Sequence, residues 1–359
     1  MKSSAISSGL FFNYFCPKIS ALKLSYRSIN LPFQYPFTIS NGRTKTNQPS
    51  LVVMLQLGNL FGVGEAPAIA YYDVTVEQMI ADLESKRAMV EKFALTEPER
   101  YWHYLHHLFP HNPFLVCALD MACWDLFGKM KDKPLYQLWN TQWENTAITD
   151  YTIGIDSIEK MVAKMKAKPW PVYKIKLGTS EDIAIVKALR ANTHATLRID
   201  ANAGWTTAEA IEKIPLLAEL GVEFIEQPLA KDNWEGMKDL YKSSVLPLYA
   251  DESCVFEKDV VKCLHHFHGI NIKLTKCSGI TPALRMIKEA RSLGMKVMMG
   301  SMNECTVGSA AIAHFLPQLD EADLDGPLLL ADDIACGLNY EQGSVTVSNE
   351  PGLGIRWNQ

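Results

Sequence analysis

A chain of 359 residues is longer than one ordinary hydrophobic core supports, so either one large barrel or two domains is expected. The net charge of −5 is spread without long runs of one sign, which excludes the footprint of a nucleic-acid binder or of a protein held on an anionic membrane. No apolar run reaches the length of a transmembrane helix.

The N-terminal stretch MKSSAISSGLFFNYFCPK has one early lysine and a short apolar patch, but Asn13 interrupts the patch and no small-residue cleavage site follows. It is read as neither a signal peptide nor a lipidation site. From about residue 19 to 72, alternating stretches such as SLVVMLQLGNLFGVGEA predict antiparallel strands, with Gly58-Asn59 as a hairpin turn. Helices are expected next. Thr75 and Gln78 form a capping-box pattern flanked by Val74 and Met79, Thr96 repeats the cap, and Asn112 with Pro113 opens a third helix. This part reads as an α+β unit.

From Tyr151 onward, apolar runs ending in polar residues alternate with capped helices: DYTIGI, VYKIKL, TLRIDAN, VEFIEQP, PLYADES, GINIKLTK, KVMMGSMNE and EADLDGPLLL. Thr206 with Glu209 and Thr281 with Pro282 mark helix starts, and Gly294 marks an end. Eight such units predict an α/β fold of the (β/α)8 barrel type. A plain doubly wound sheet is the alternative, against which the polar strand tips argue. The final segment NYEQGSVTVSNEPGLGI reads as a hairpin that returns to the first domain. The expected division is 1–125 for the α+β domain, 126–334 for the barrel and 335–359 for the returning segment.

In a parallel barrel all strand C-termini point to one face, where sites are built. The predicted tips carry Lys174 and Lys176, then Asp200, Glu226, Asp251, Lys273, Glu304, and Asp323 with Asp325. Asp200, Glu226 and Asp251 on adjacent strands converge as hard oxygen ligands suited to Mg²⁺, one ion per subunit. Lys176 and Lys273 then face each other across whatever that ion binds, a geometry for moving a proton between two faces of one carbon. Lys174, on the same face as Lys176, is expected to disfavour a second charge nearby and help one lysine act as a neutral base, and also to offset the excess negative charge of the three carboxylates.

The motifs KIK at 174–176, DAN at 200–202, EQP at 226–228, ADES at 250–253 and NIKLTKCSGI at 271–280 resemble the muconate lactonizing enzyme subgroup of the enolase superfamily. The resemblance runs through most of the chain. It implies an N-terminal capping domain over the barrel mouth and abstraction of the proton α to a carboxylate, with an enediolate held on Mg²⁺. Fold and metal do not select a reaction within the subgroup. Asp323-x-Asp325, however, is similar to the DxD element by which dipeptide epimerases bind a substrate's α-ammonium, since a cationic amine needs an acidic partner. GSMNE at 300–304 also resembles those epimerases and puts Met302 at the substrate.

In Ala-Glu epimerases an arginine of the capping loop meets the glutamate side chain, and Arg43 in PFTISNGRTKTN is the corresponding candidate, with a spacing from Phe37 that differs by about one residue. Phe33, Tyr35 and Phe37 offer an apolar pocket instead, which favours a small Ala-X dipeptide with an apolar second residue. Ala-Glu epimerase, N-acylamino acid racemase and o-succinylbenzoate synthase stay open as alternatives on this scaffold. So does a metal-containing binding protein without catalysis.

Three weaker signals complete the reading. His266 and His268 precede the sixth predicted strand and so sit away from the C-terminal face, as a solvated helix end. Gly62-Val63-Gly64 lacks the rest of a dinucleotide fingerprint. Eight scattered cysteines without a C-x-x-C pair read as reduced core residues of a cytoplasmic protein. The expected partner is a small dipeptide, with neither nucleic acid nor membrane, and homo-oligomerisation is left open.

Overall fold

The computed structural model describes residues 22–38 and 44–358. The N-terminal segment with its signal-like patch, Cys16 and Arg43 lie outside the described residues. Strands β1 (Lys23–Thr38), β2 (Thr44–Leu57) and β3 (Leu60–Pro67) form an antiparallel sheet in that order. The β2–β3 turn is Gly58-Asn59, with Gly58 in the left-handed region at φ 61°. Helices α1 (Val76–Lys92), α2 (Pro98–Leu108) and α3 (Pro113–Met130) cover the sheet. Thr75 and Asn112 cap α1 and α3 through their side chains, but Thr96 does not cap α2. That helix begins one residue later than the pattern suggested, behind Glu97, with Pro98 in its first turn.

Helix α3 is apolar on nearly all sides because it is buried on both. Phe114, Ala118 and Ala122 belong to the core of the first unit, whereas Cys117 and Met121 belong to the barrel's. The glycines of Gly62-Val63-Gly64 serve this packing. A Cβ on Gly64 would meet the Ala118 carbonyl at 2.0 Å and one on Gly62 the Ala122 carbonyl at 2.1 Å, so β3 lies backbone-close on α3.

A short helix α4 (Leu135–Leu138) leads to eight strands, β4 (Tyr151–Ile153), β5 (Val172–Lys176), β6 (Thr196–Asp200), β7 (Val222–Glu226), β8 (Leu248–Ala250), β9 (Gly269–Ile272), β10 (Lys296–Gly300) and β11 (Glu321–Asp323). All are parallel and neighbour one another in chain order. A doubly wound sheet would reverse its order at some point; this one does not. Instead the ends meet, through a parallel bridge between Thr149 and Ala322 and an Asp150 N–H donated to the Ala322 carbonyl at 3.3 Å. The result is a nearly closed (β/α)8 barrel beside the antiparallel domain. Each predicted apolar run corresponds to one of its strands.

Around the strands lie α5 (Ile158–Ala167), α6 (Asp182–Arg190), α7 (Thr207–Glu219), α8 (Trp234–Ser243), α9 (Glu257–Cys263), α10 (Leu274–Cys277), α11 (Ile280–Ser292), α12 (Thr306–Ala313) and α13 (Gly326–Leu329). Thr206 and Glu209 form the expected reciprocal capping box of α7. Thr281 is not a cap. It lies inside α11, and its N–H and hydroxyl both donate to Asp120 of α3, at 2.9 and 2.8 Å. His266 and His268 precede β9, at the end of the barrel away from the strand tips, where His268 Nδ1 accepts from the Leu248 N–H at 3.1 Å.

The chain ends in β12 (Ala335–Cys336), the hairpin β13 (Leu338–Glu341) and β14 (Ser344–Val347), and β15 (Arg356–Trp357). Beside them the Leu353 N–H donates to Asp125 of α3 at 2.8 Å.

Candidate active site

Strand alternation directs one set of side chains into the barrel, and register brings that set to a common height. Lys176 pairs with Asp200 across β5–β6, and Asp200 with Glu226 across β6–β7. Asp251 follows β8 directly and Lys273 follows β9 directly. Asp200, Glu226 and Asp251 each offer an oxygen, and the three oxygens lie within 4.8 Å of one another. All three residues are buried.

Three carboxylates without counter-charge would repel one another strongly at that separation. Here lysines surround them. Lys176 Nζ donates to Asp200 Oδ2 at 2.6 Å and Lys273 Nζ to Asp251 Oδ2 at 2.8 Å. Lys174 lies deeper, 3.1 Å from Asp200 Oδ2, 2.8 Å from Glu226 Oε2 and 2.7 Å from Asp323 Oδ2. Burial pushes the Asp200 carboxyl up, but Lys176 and Lys174 outweigh it and hold the group below the usual carboxylate range. Asp251 is likewise driven up by burial and brought lower still by Lys273 and Lys276. Glu226 has less help, and burial with the neighbouring Asp200 charge raises it to about 7.

Lys174 therefore faces acids from three strands, the expected Asp200 and Glu226 and also Asp323. Burial disfavours its charge, yet Asp323, Glu226 and Asp200 together outweigh burial and raise its pKa. It forms the charged floor of the site.

Asp323 ends β11, paired in register with Gly300, and Asp325 lies two residues on. Asp325 Oδ2 accepts the Thr152 N–H at 2.6 Å, and burial together with Asp323 raises the Asp325 carboxyl to about 7. The two acids come together as the sequence pattern suggested. Met302 is half-buried against the core of the antiparallel domain, and its N–H donates to Glu304 Oε2 at 2.5 Å. It stands where that domain meets the strand tips.

Sequence reading missed several contributors. Lys276, three residues beyond Lys273, is fully buried and donates to Asp251 Oδ1 at 2.5 Å, to the Asp251 carbonyl at 2.6 Å and to the Cys254 carbonyl at 3.0 Å. Asn271 Nδ2 donates to Glu226 Oε1 at 2.8 Å; its two-residue offset from Lys273 on one strand face was the available signal. Gln227 Oε1 accepts from the Asp251 and Ser253 N–H groups at 3.0 and 3.1 Å, which shapes the loop after β8. From the antiparallel domain, Tyr72 comes within reach of the Asp251 and Glu252 charges. Burial raises its hydroxyl, and Asp251 and Glu252 add to the rise. No spacing in the sequence announces that last contact.

Backbone strain gathers at the same end. Asn202, Ala203, Gln227 and Asn303 all have positive φ, between 37 and 66°, and all stand just beyond strand tips. Such conformations cost energy and persist where the surroundings over-determine them.

Asp200, Glu226 and Asp251 fit a hard divalent cation. They supply oxygen donors from three neighbouring strands, and Glu226 Oε2 is buried with an ammonium close by but no aligned hydrogen bond. In a ring of eight strands, β5 and β9 are diametrically opposite. Lys176 and Lys273 thus flank the mouth, with the acid triad on the arc between them and Asp323 with Asp325 on the other arc.

Fold and site together define a (β/α)8 barrel whose mouth holds a buried acid triad between two opposed lysines. Residues 156–359 match the family described as enolase C-terminal domain-like. An L-Ala-D/L-amino acid epimerase of Flavobacterium johnsoniae is 52% identical over 334 residues, covering 93% of this chain and 99% of that one. The substrate-liganded L-Ala-D/L-Glu epimerase of Bacillus subtilis superposes with a TM-score of 0.89 at 29% identity, covering 94% and 99% of the two chains. The dipeptide epimerase of Cytophaga hutchinsonii complexed with Mg and D-Ala-L-Val superposes at 0.88 and 25%, covering 95% and 96%. The chain belongs to the enolase superfamily.

Proposed function

We propose that this chain is a Mg²⁺-dependent dipeptide epimerase that inverts the α-carbon of the second residue of Ala-X dipeptides, with a preference for small apolar X. The observation that carries the reading is the division of the barrel mouth. Lys176 and Lys273 stand opposite each other, a cation-binding triad fills one arc, and a pair of acids suited to an α-ammonium fills the other. The names of the relatives support the same activity.

Bound Mg²⁺, held by Asp200, Glu226 and Asp251, would neutralise the charge that develops on the substrate's carboxylate as its α-proton leaves. Asp323 and Asp325 hold the α-ammonium, so the peptide spans the mouth and its second α-carbon lies between the two lysines. The lysine on the side of the α-hydrogen, in its neutral form, takes that proton. The opposite lysine, as an ammonium, delivers a proton to the other face, and the configuration inverts. Either lysine serves as base, according to the starting epimer. Lys174 keeps the acids of both arcs at fixed distance and offsets their charge.

Among the described residues no helix is long and apolar enough to cross a membrane. Six of the seven described cysteines are buried free thiols, which supports a cytoplasmic enzyme. The test is proton NMR in D₂O with Mg²⁺ and a panel of Ala-X dipeptides, N-acetyl and N-succinyl amino acids. Exchange and inversion at the second α-carbon of dipeptides, abolished by EDTA, is expected. Turnover of acylated amino acids alone would replace the proposal with a racemase.

A further inference from the structure

Gly300 ends β10, the strand between Lys273, which follows β9, and Asp323, which ends β11. A glycine weakens a strand, and it ordinarily stands there because the backbone needs positive φ or because another group comes close. Gly300 does not have positive φ, so its backbone alone does not call for glycine. The second reason applies. A Cβ on Gly300 would meet Asn271 Nδ2 at 2.8 Å, Asn271 Oδ1 at 2.9 Å and Lys273 Cε at 3.2 Å.

Both neighbours hold carboxylates of the triad. Asn271 is fully buried, and its Nδ2 donates to Glu226 Oε1 at 2.8 Å. Lys273 is buried along its stem, and its Nζ donates to Asp251 Oδ2 at 2.8 Å. A methyl at position 300 would force the Asn271 amide to move and the Lys273 stem to give way slightly. Lys176 stands on β5, opposite β9, and is not among the groups that such a methyl would meet first.

We propose that Gly300 is a positioning residue for Lys273: by presenting no side chain it lets the lysine stem pass close to β10 and sets the ammonium against one face of the substrate's α-carbon. The proposal rests on the epimerase reading and adds that the two lysines are held in place independently. One of them can then be detuned without the other. The lysine that removes an α-proton can return a solvent deuteron to the same face, which is exchange, whereas inversion needs both lysines. A single methyl at position 300 should therefore separate the two proton transfers.

The experiment follows deuterium uptake at the second α-carbon of L-Ala-L-Leu and L-Ala-D-Leu, in D₂O with Mg²⁺, for the full-length wild type, Gly300→Ala, Asn271→Ala and the double variant. Lys273→Ala identifies the epimer that Lys273 deprotonates. In Gly300→Ala the exchange of that epimer relative to the other should fall about 10-fold, the scale of misplacing a reacting group by a fraction of an ångström, and inversion should fall with it. Asn271→Ala loosens Glu226, which serves both epimers, so its ratio should match the wild type. An unchanged ratio in Gly300→Ala overturns the proposal. Should that variant not fold, the double variant decides, because it lacks the amide that the methyl meets most closely and keeps Lys273. Its ratio must lie below that of Asn271→Ala, and an equal ratio overturns the proposal. Absence of exchange with either dipeptide in the wild type overturns the epimerase reading instead. Crystal structures of the wild type and Gly300→Ala then decide the positioning, by whether Lys273 Nζ is drawn away from Asp251 Oδ2 or keeps its place.

Discussion

Two lysines on one strand face have different neighbours and so different work. Lys174 is enclosed by Asp200, Glu226 and Asp323, whereas Lys176 touches Asp200 alone and stands nearer the mouth. Replacing Lys176 or Lys273 by alanine should therefore stop inversion, by roughly 10²- to 10⁴-fold, while each variant still exchanges the α-hydrogen of one epimer. Monitoring deuterium uptake from L-Ala-L-X and L-Ala-D-X separately reads this, and the two variants should retain opposite epimers. Loss of exchange with both epimers in both variants would count against two independent bases. Lys276 acts at one remove, by fixing Asp251. Lys276→Met leaves the Asp251 and Cys254 carbonyls short of a donor, and urea unfolding should show a loss of about 3–5 kcal/mol, the usual result of breaking a buried pair from one side.

Elements are joined by acids placed at helix starts. Asp120 of α3 serves the first turn of α11, and Glu65 of β3 accepts from the Cys305 and Gly308 N–H groups, at 3.2 and 3.0 Å, at the start of α12. The antiparallel domain thus supplies caps to barrel helices. Asp120→Ala is expected to cost about 2–3 kcal/mol, since it removes a cap and leaves a buried hydroxyl without an acceptor, measurable by denaturant titration.

At the other end of α12, His314 is fully buried and stacked on Tyr136, with the Leu353 backbone near its ring but no well-aligned hydrogen bond to either ring nitrogen among the described residues. Burial lowers its pKa from 6.5 to about 4. The unfolded chain therefore binds the proton more readily between those values. Stability from this residue is complete above about pH 6.5 and declines as pH falls toward 4, by on the order of 3 kcal/mol. Subtracting the pH–stability curve of His314→Leu from that of the wild type should isolate this slope. A flat difference would mean the imidazole is hydrated in the folded protein.

For the molecule as a whole, the cation is a stabiliser as well as a cofactor. The triad is assembled only when three strands are in register, so Mg²⁺ binds the folded chain in preference to the unfolded one. At a concentration 100-fold above its Kd it should add about 2.7 kcal/mol, seen as a rise in Tm that EDTA reverses and that Asp200→Asn largely removes. An identical Tm with and without the ion would argue that the lysines hold the acids too tightly for the ion to enter.

Periodicity and strand-tip chemistry were enough to determine the barrel, its eight strands, the acid triad, the opposed lysines and the Asp323–Asp325 pair. These depend on a period of two along each strand and on one polar tip per unit, both local properties. Thr96 and Thr281 show where local rules end. Each looks like a cap, yet the first is passed over for Glu97 and the second is bound by an aspartate 161 residues away. Tertiary packing alone brings Lys174 onto Asp323 as well as Asp200 and Glu226, sets Lys276 on Asp251 and puts Tyr72 within reach of the Asp251 charge. Each of these turns on distance between segments far apart in the chain, and a charge is stabilised or left wanting by what surrounds it in space rather than by its neighbours in sequence.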